Sequence, residues 1–303
     1  MNRLIAVCFL LLFLSCKSEI APVRITENIV GLLDRYEQFP SVNIEPRMVD
    51  VWFPQDYSED KKYAVLYMHD GQMLFDAKTT WNKQEWQVDE WATKLMRQGK
   101  TKDFIVVGVH NIRELRNSNY FPQKVYEALM QKDKDSLKAM TDKQNAKSLI
   151  NSDSYLKFLV NELKPFVDAN YAVKTDKDNT FVMGSSRGGL ISMYAISEYP
   201  EVFGGAACLS THWTGTYDNI DNDIPDAFFD YMKMYLPNSE NHKLYFDYGD
   251  KTLDEKYLPY QNKADRVIVS KGHAKSIKFT GADHSEVSWG ARLDIPLTFL
   301  LGN

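Results

Sequence analysis

Apolar positions along the chain fall into short strand-like runs separated by longer one-sided patterns. Arg47 to Phe53 and Tyr63 to Met68 read as early strands, with Pro54-Gln55-Asp56-Tyr57-Ser58 as the turn between them. Phe104 to Val109 is a third strand, preceded by a helical pattern over about Gln84 to Arg97. Tyr155, Leu156, Leu159, Leu163 and Val167 recur at helical spacing, so a helix is expected to begin after Ser152 and Asp153, both good capping residues. Pro165 is expected to kink or end its last turn. Thr180 to Met183, Gly205 to Leu209 and Lys243 to Tyr248 are further apolar runs, and Ser276 to Thr280 alternates polar with apolar; each reads as a strand. Strands that alternate with helices argue for a mostly parallel central sheet flanked by helices, the α/β class. Residues 110–150, with a charged run around Gln131 to Asp135, and residues 211–241, rich in aromatic and acidic side chains, break the alternation. Both are expected as insertions at the carboxyl edge of the sheet, where ligands bind in such folds.

The chemistry concentrates at Gly184-Ser185-Ser186-Arg187-Gly188, which lies between the Thr180 strand and the apolar helical run Leu190 to Ile196. A serine on a sharp strand-to-helix turn needs glycine two residues to either side, because a side chain there would meet neighbouring backbone. Ser186 is therefore the candidate nucleophile. A serine hydroxyl needs a base to take its proton, and in α/β-hydrolases the order along the chain is serine, acid, histidine. His284, in Gly281-Ala282-Asp283-His284-Ser285 directly after the last strand, is the candidate base. The acid is expected in the loop Gly249 to Asp254, which offers Asp250 and Asp254. Asp254 is preferred, and it is equally suited to cap a helix beginning at Glu255. An oxyanion hole needs two backbone donors. The candidates are the amide of Arg187 and, from the loop His69 to Phe75, that of Gln72. The competing reading of both glycine-containing segments is an ordinary turn between strand and helix.

The segments YAVLYMHDGQMLFD, FVMGSSRGG, FDYGDKTLDEKYLPYQ and FTGADHSEVSW resemble the esterase family that includes enterochelin esterases, esterase D, and feruloyl and acetyl-xylan esterases. The resemblance runs from about Asn43 to the C-terminus. It implies an α/β-hydrolase fold and places the family's serine on Ser186, its histidine on His284 and its acid on Asp254. Arg116 to Lys124 and Leu209 to Trp213 are similar to segments of a subgroup of bacterial esterases. Arg187 departs from the methionine or leucine common after the nucleophile. Its guanidinium is open to an anionic part of a substrate or to a structural ion pair.

Composition narrows the picture. With 44% hydrophobic residues, 303 residues suffice for one sizeable core, expected as a single domain over 26–303. A net charge of −5, from 36 basic and 41 acidic residues spread along the chain, gives no reason to expect nucleic acid as a partner. No metal-binding spacing is present, and no cofactor is expected. Arg3 followed by the apolar run Leu4 to Leu14 is too short to span about 30 Å of hydrocarbon and reads as a signal peptide over 1–15. Phe13-Leu14-Ser15-Cys16 resembles a relaxed bacterial lipobox, so Cys16 is expected to carry lipid, with 16–25 as a tether. That anticipates an exported protein held in the outer membrane, or otherwise periplasmic or secreted. Cys208 would be the one cysteine left, in an apolar run that suits a small buried hydrophobe.

These readings converge on an anchored or secreted serine esterase. Carbohydrate-linked acetyl or feruloyl esters are the first substrate class, by analogy with the family. A siderophore trilactone is the alternative, and a surface glycan-binding protein without turnover is the alternative of another class. His212 and Trp213 are candidate substrate contacts, with Tyr217, Phe228, Phe229 and Tyr231 as a possible aromatic platform or else as the core of the insertion.

Overall fold

The structure, a computed structural model, describes residues 20–143, 150–217 and 222–302. The expected signal peptide and Cys16 lie outside the described residues. Among the described residues nine strands form one sheet: β1 (Val23–Ile25), β2 (Leu32–Phe39), β3 (Arg47–Phe53), β4 (Ala64–His69), β5 (Phe104–Val109), β6 (Thr180–Ser185), β7 (Gly205–Leu209), β8 (Lys243–Tyr248) and β9 (Lys275–Lys278). Their order is β1-β2-β3-β5-β4-β6-β7-β8-β9. Pairing is antiparallel from β1 through β3 to β5 and parallel from β5 through β4 to β9. Strands β1 to β3 are thus the antiparallel extension of a parallel sheet, and the last residues of the expected tether are strand β1.

Side chains alternate between the two faces, as the strand period requires. Val65 and Tyr67 of β4, Ile105 and Val107 of β5 and Val182 of β6 enter one core, while Leu66 and Met68, Phe104 and Val106, and Phe181 and Met183 enter the other. The strands read as continuous apolar runs because both faces are covered. Eleven helices are described: α1 (Val88–Arg97), α2 (Arg116–Tyr120), α3 (Gln123–Ala128), α4 (Gln131–Lys143), α5 (Ser152–Phe158), α6 (Lys164–Asn170), α7 (Arg187–Glu198), α8 (Ile224–Tyr235), α9 (Leu258–Val269), α10 (Glu286–Gly290) and α11 (Asp294–Leu301). Leu95 of α1, Trp289 of α10 and Leu297 of α11 close the second face, and Leu156 of α5, Leu190 of α7, Phe228 of α8 and Ile268 of α9 the first.

Pro165 does not end its helix. Residues Leu159–Leu163 form a π-helical turn between α5 and α6, and Pro165 falls in the first turn of α6. The wider turn accommodates the missing amide and the ring's clash with the preceding carbonyl, so the stripe from Tyr155 to Val167 stays buried through the irregularity. Among the described residues the two insertions carry helices: α2, α3 and α4 within 110–150, and α8 within 211–241.

Candidate active site

β6 and α7 meet at Ser186, whose backbone has φ 57° and ψ −120°. A non-glycine residue holds such dihedrals only where its surroundings over-determine them. Here its amide donates to the Leu209 carbonyl at 2.9 Å, and its own carbonyl accepts the amides of Gly189 at 3.0 Å and His212 at 3.2 Å. The glycines play unequal parts. A Cβ on Gly184 would lie 2.7 Å from the Gly188 carbonyl group, whereas one on Gly188 would meet only Asp70 Oδ2 at 3.4 Å and His69 Cβ at 3.6 Å. Gly184→Ala is therefore expected to destabilise the protein by about 1–3 kcal/mol, because backbone must move. A urea unfolding midpoint unchanged from the parent would contradict this.

His284 follows β9 and precedes α10, which Ser285 caps by accepting the Ser288 amide at 3.2 Å. The His284 amide donates to Thr252 Oγ1 at 2.9 Å, and Nδ1 lies 2.6 Å from Asp254 Oδ1. The carboxylate of Asp254 is fully buried, and the His284 side chain is 12% exposed. Oδ2 of Asp254 accepts the Gly249 amide at 2.6 Å and the Ser210 hydroxyl at 2.7 Å. Asp250, the other candidate, faces elsewhere: it accepts the Gly281 amide at 2.8 Å and pairs with Lys278 at 3.1 Å. Two aromatic neighbours pack on the His284 imidazole. The Tyr257 ring meets the His284 imidazole edge-to-face at 5.7 Å, and its hydroxyl is 2.7 Å from His212 Nδ1. Burial pushes this phenol well above its ordinary pKa, while a hydrogen bond with the Ser186 hydroxyl pulls the other way. Trp289 packs edge-to-face on His284 at 4.9 Å.

Arg187 is the first residue of α7, so its amide has no intrahelical acceptor and lies at the positive end of the helix dipole. Gln72 stands in the short 3₁₀ turn Gly71–Met73 after β4, the strand next to β6. Its side chain accepts the Asn111 amide at 3.1 Å. A Cβ added at Gly188 would meet Asp70 and His69, so this turn lies beside the start of α7. Asp70 has a left-handed backbone, φ 59°, and its carboxylate takes Nε and Nη2 of Arg116 at 2.9 and 2.7 Å and Nδ2 of Asn111 at 2.7 Å. Burial opposes ionisation of Asp70, but Arg116 and Asn111 outweigh it and hold the carboxyl below its ordinary range. The segment Arg116 to Lys124 thus braces the turn that carries Gln72, a role the sequence did not disclose.

The guanidinium of Arg187 is buried and its partners among the described residues are neutral. It donates to Asn117 Oδ1, to the Tyr217 hydroxyl at 3.4 Å and to the Gly215 carbonyl at 3.4 Å, and lies 5.1 Å from the Tyr217 ring centre. Its charge holds the Tyr217 phenol below its ordinary pKa. Of the expected substrate contacts, His212 is fully buried beside the elbow, and burial first, then the charges of Arg187 and His284, push its pKa far down. Trp213 corrects the expectation. Its ring packs on Phe229 at 5.4 Å and Phe246 at 6.3 Å and its indole N–H donates to Gln261 at 3.2 Å, so it is a core residue. Phe228, Phe229 and Tyr231 are buried with it, so these aromatic residues belong to the core and form no exposed platform. Cys208 is buried and unpaired.

The family model Esterase, described as "Putative esterase", matches residues 44–294. A Bacillus subtilis relative, the uncharacterized protein YbbA, is 26% identical over 180 residues, 59% of this chain and 61% of that protein. An endo-1,4-beta-xylanase/feruloyl esterase of Xylanibacter ruminicola is 27% identical over 252 residues, 79% of this chain. The chain spans only 27% of that second protein's length. Among solved structures, a ferulic acid esterase superposes with a TM-score of 0.63 at 15% identity, covering 90% of this chain and 99% of that one. The enterobactin esterase of Shigella flexneri gives 0.63 at 16% identity, covering 93% of this chain and 59% of that one. These likenesses show the α/β-hydrolase fold, and the extent of the model match shows the family: the chain belongs to the Esterase family.

Proposed function

We propose that this protein hydrolyses carboxylic esters through an acyl-enzyme on Ser186. The observation that carries the reading is the 2.6 Å contact between His284 Nδ1 and Asp254 Oδ1, taken with a serine held at φ 57° on a strand-to-helix turn. Asp254 fixes the tautomer with the proton on Nδ1, which leaves Nε2 as the base. His284 takes the Ser186 proton as Oγ attacks the ester carbonyl, and the amides of Arg187 and Gln72 stabilise the oxyanion. The tetrahedral intermediate expels the alcohol, which receives its proton from His284. Water, deprotonated by the same imidazole, then releases the acid and restores the serine.

The substrate class we propose is a carbohydrate-linked acetyl or feruloyl ester. Support comes from the feruloyl esterase named among the relatives and from a signal-like N-terminus, which would place the protein outside the cytoplasm, held by lipid on Cys16. The test compares kcat/KM of the purified protein on acetylated xylan, a feruloylated arabino-oligosaccharide and a catecholate trilactone. The proposal expects a carbohydrate ester to lead by at least about tenfold, roughly 1.4 kcal/mol of transition-state preference. A lead by the trilactone would reassign the substrate, and binding of the oligosaccharide without turnover of any ester would replace the enzyme with a glycan-binding protein.

A further inference from the structure

The loop after β7 touches both halves of the site. The Leu209 carbonyl holds the Ser186 amide at 2.9 Å, and between that contact and His212 stands Ser210, fully buried, with φ 43° and its amide on the Asp247 carbonyl at 2.8 Å. The Ser210 hydroxyl oxygen has three polar neighbours: Asp254 Oδ2 at 2.7 Å, Trp289 Nε1 at 3.0 Å and Arg292 Nη2 at 3.1 Å. An indole and a guanidinium can only donate. They occupy the two lone pairs of the hydroxyl, so its single proton has one destination, the carboxylate of Asp254. Donation therefore runs one way, from Arg292 through Ser210 into Asp254, whose other oxygen faces His284.

Arg292 is fixed in turn. Its Nη2 and Nε meet Asp247 Oδ1 and Oδ2 at 2.9 and 3.3 Å, and its Nη1 donates to the Ser288 carbonyl at 3.1 Å. Trp289 serves two neighbours, bonding to Ser210 and packing on the His284 ring at 4.9 Å. We infer that Ser210 is a positioning residue for ester hydrolysis: with the Gly249 amide it pins Oδ2 of Asp254 so that Oδ1 stays directed at His284. The inference rests on the reading of Ser186, His284 and Asp254 as a catalytic triad.

Ser210→Gly tests it in the full chain, because glycine suits a positive φ and the change removes no more than the hydroxymethyl group that carries the donor. A charge-assisted bond to a buried carboxylate predicts that kcat falls by about 10- to 100-fold. KM should hold, since Ser210 acts on the acid and not on substrate. The same replacement in an Asp254→Asn background should change kcat by less than about twofold, because the group it acts through has gone. Equal losses in both backgrounds would make Ser210 a structural residue and overturn the inference, as would an unaltered kcat for Ser210→Gly alone. Full activity of Asp254→Asn by itself would instead refute the triad, and that outcome is read from the single variant. Thermal midpoints confirm folding; if the glycine variant fails to fold, Ser210→Ala completes the same cycle.

Discussion

Ser186→Ala is expected to lower kcat on p-nitrophenyl acetate by roughly 10⁵- to 10⁶-fold, with the unfolding midpoint close to that of the parent. The side chain contributes little to packing, and the contacts that hold the elbow are made by its backbone: the amide to Leu209, the carbonyl to Gly189 and His212. Alanine keeps all of them. What it removes is the proposed nucleophile. Residual turnover above the uncatalysed rate would come from the proposed oxyanion hole, the amides of Arg187 and Gln72, acting on direct attack by water. Initial rates at equal concentration of folded protein check this. Equal turnover by parent and variant would remove Ser186 from the mechanism.

Asp254→Asn is expected to cost about 10⁴-fold in kcat. The carboxylate accepts three donors, from Gly249, Ser210 and His284. An asparagine of the same shape offers one carbonyl oxygen and one NH₂. If the carbonyl keeps the bonds to Gly249 and Ser210, the NH₂ faces His284 and forces the imidazole into the tautomer with its lone pair on Nδ1, and the base is lost. If the amide flips, two buried donors face an NH₂. The loss should appear in kcat with KM little changed, because the aspartate is fully buried and does not meet substrate. A drop confined to KM would contradict its role. Asp250→Asn should be nearly silent in the same assay, since that residue bonds Gly281 and Lys278.

Much of this arrangement was legible in the residues themselves. β3, β5 and β8 fall where they were expected, β5 because a strand with both faces covered is an uninterrupted apolar run, β3 and β8 because apolar residues still outnumber the charged Asp50 and Asp247 within them. β2 was not legible: Asp34, Arg35 and Glu37 interrupt it, and two of those charges are matched across strands, Asp34 with Arg24 at 2.5 Å and Arg35 with Asp50 at 2.8 Å. Cross-strand partners are distant in sequence and leave no local pattern. For the same reason Ser210 escaped notice, its partners lying 44, 79 and 82 residues away. Ser186 and His284 could be proposed from the sequence because a strand-to-helix turn with flanking glycine and a histidine after a late strand have local signatures. Trp213 misled because an aromatic residue in an insertion looks the same whether it faces solvent or, as here, Phe229 and Phe246.

The most direct test of the account is the covalent chemistry of Ser186. The protein is incubated with diethyl p-nitrophenyl phosphate, which a serine activated by His284 attacks with loss of p-nitrophenol, and its intact mass and peptide map are measured. The account predicts a single diethylphosphoryl group on Ser186, loss of esterase activity in step with labelling, and no adduct on Ser186→Ala. A protein that hydrolyses esters yet remains unlabelled, or one labelled at another residue with loss of activity, would contradict it.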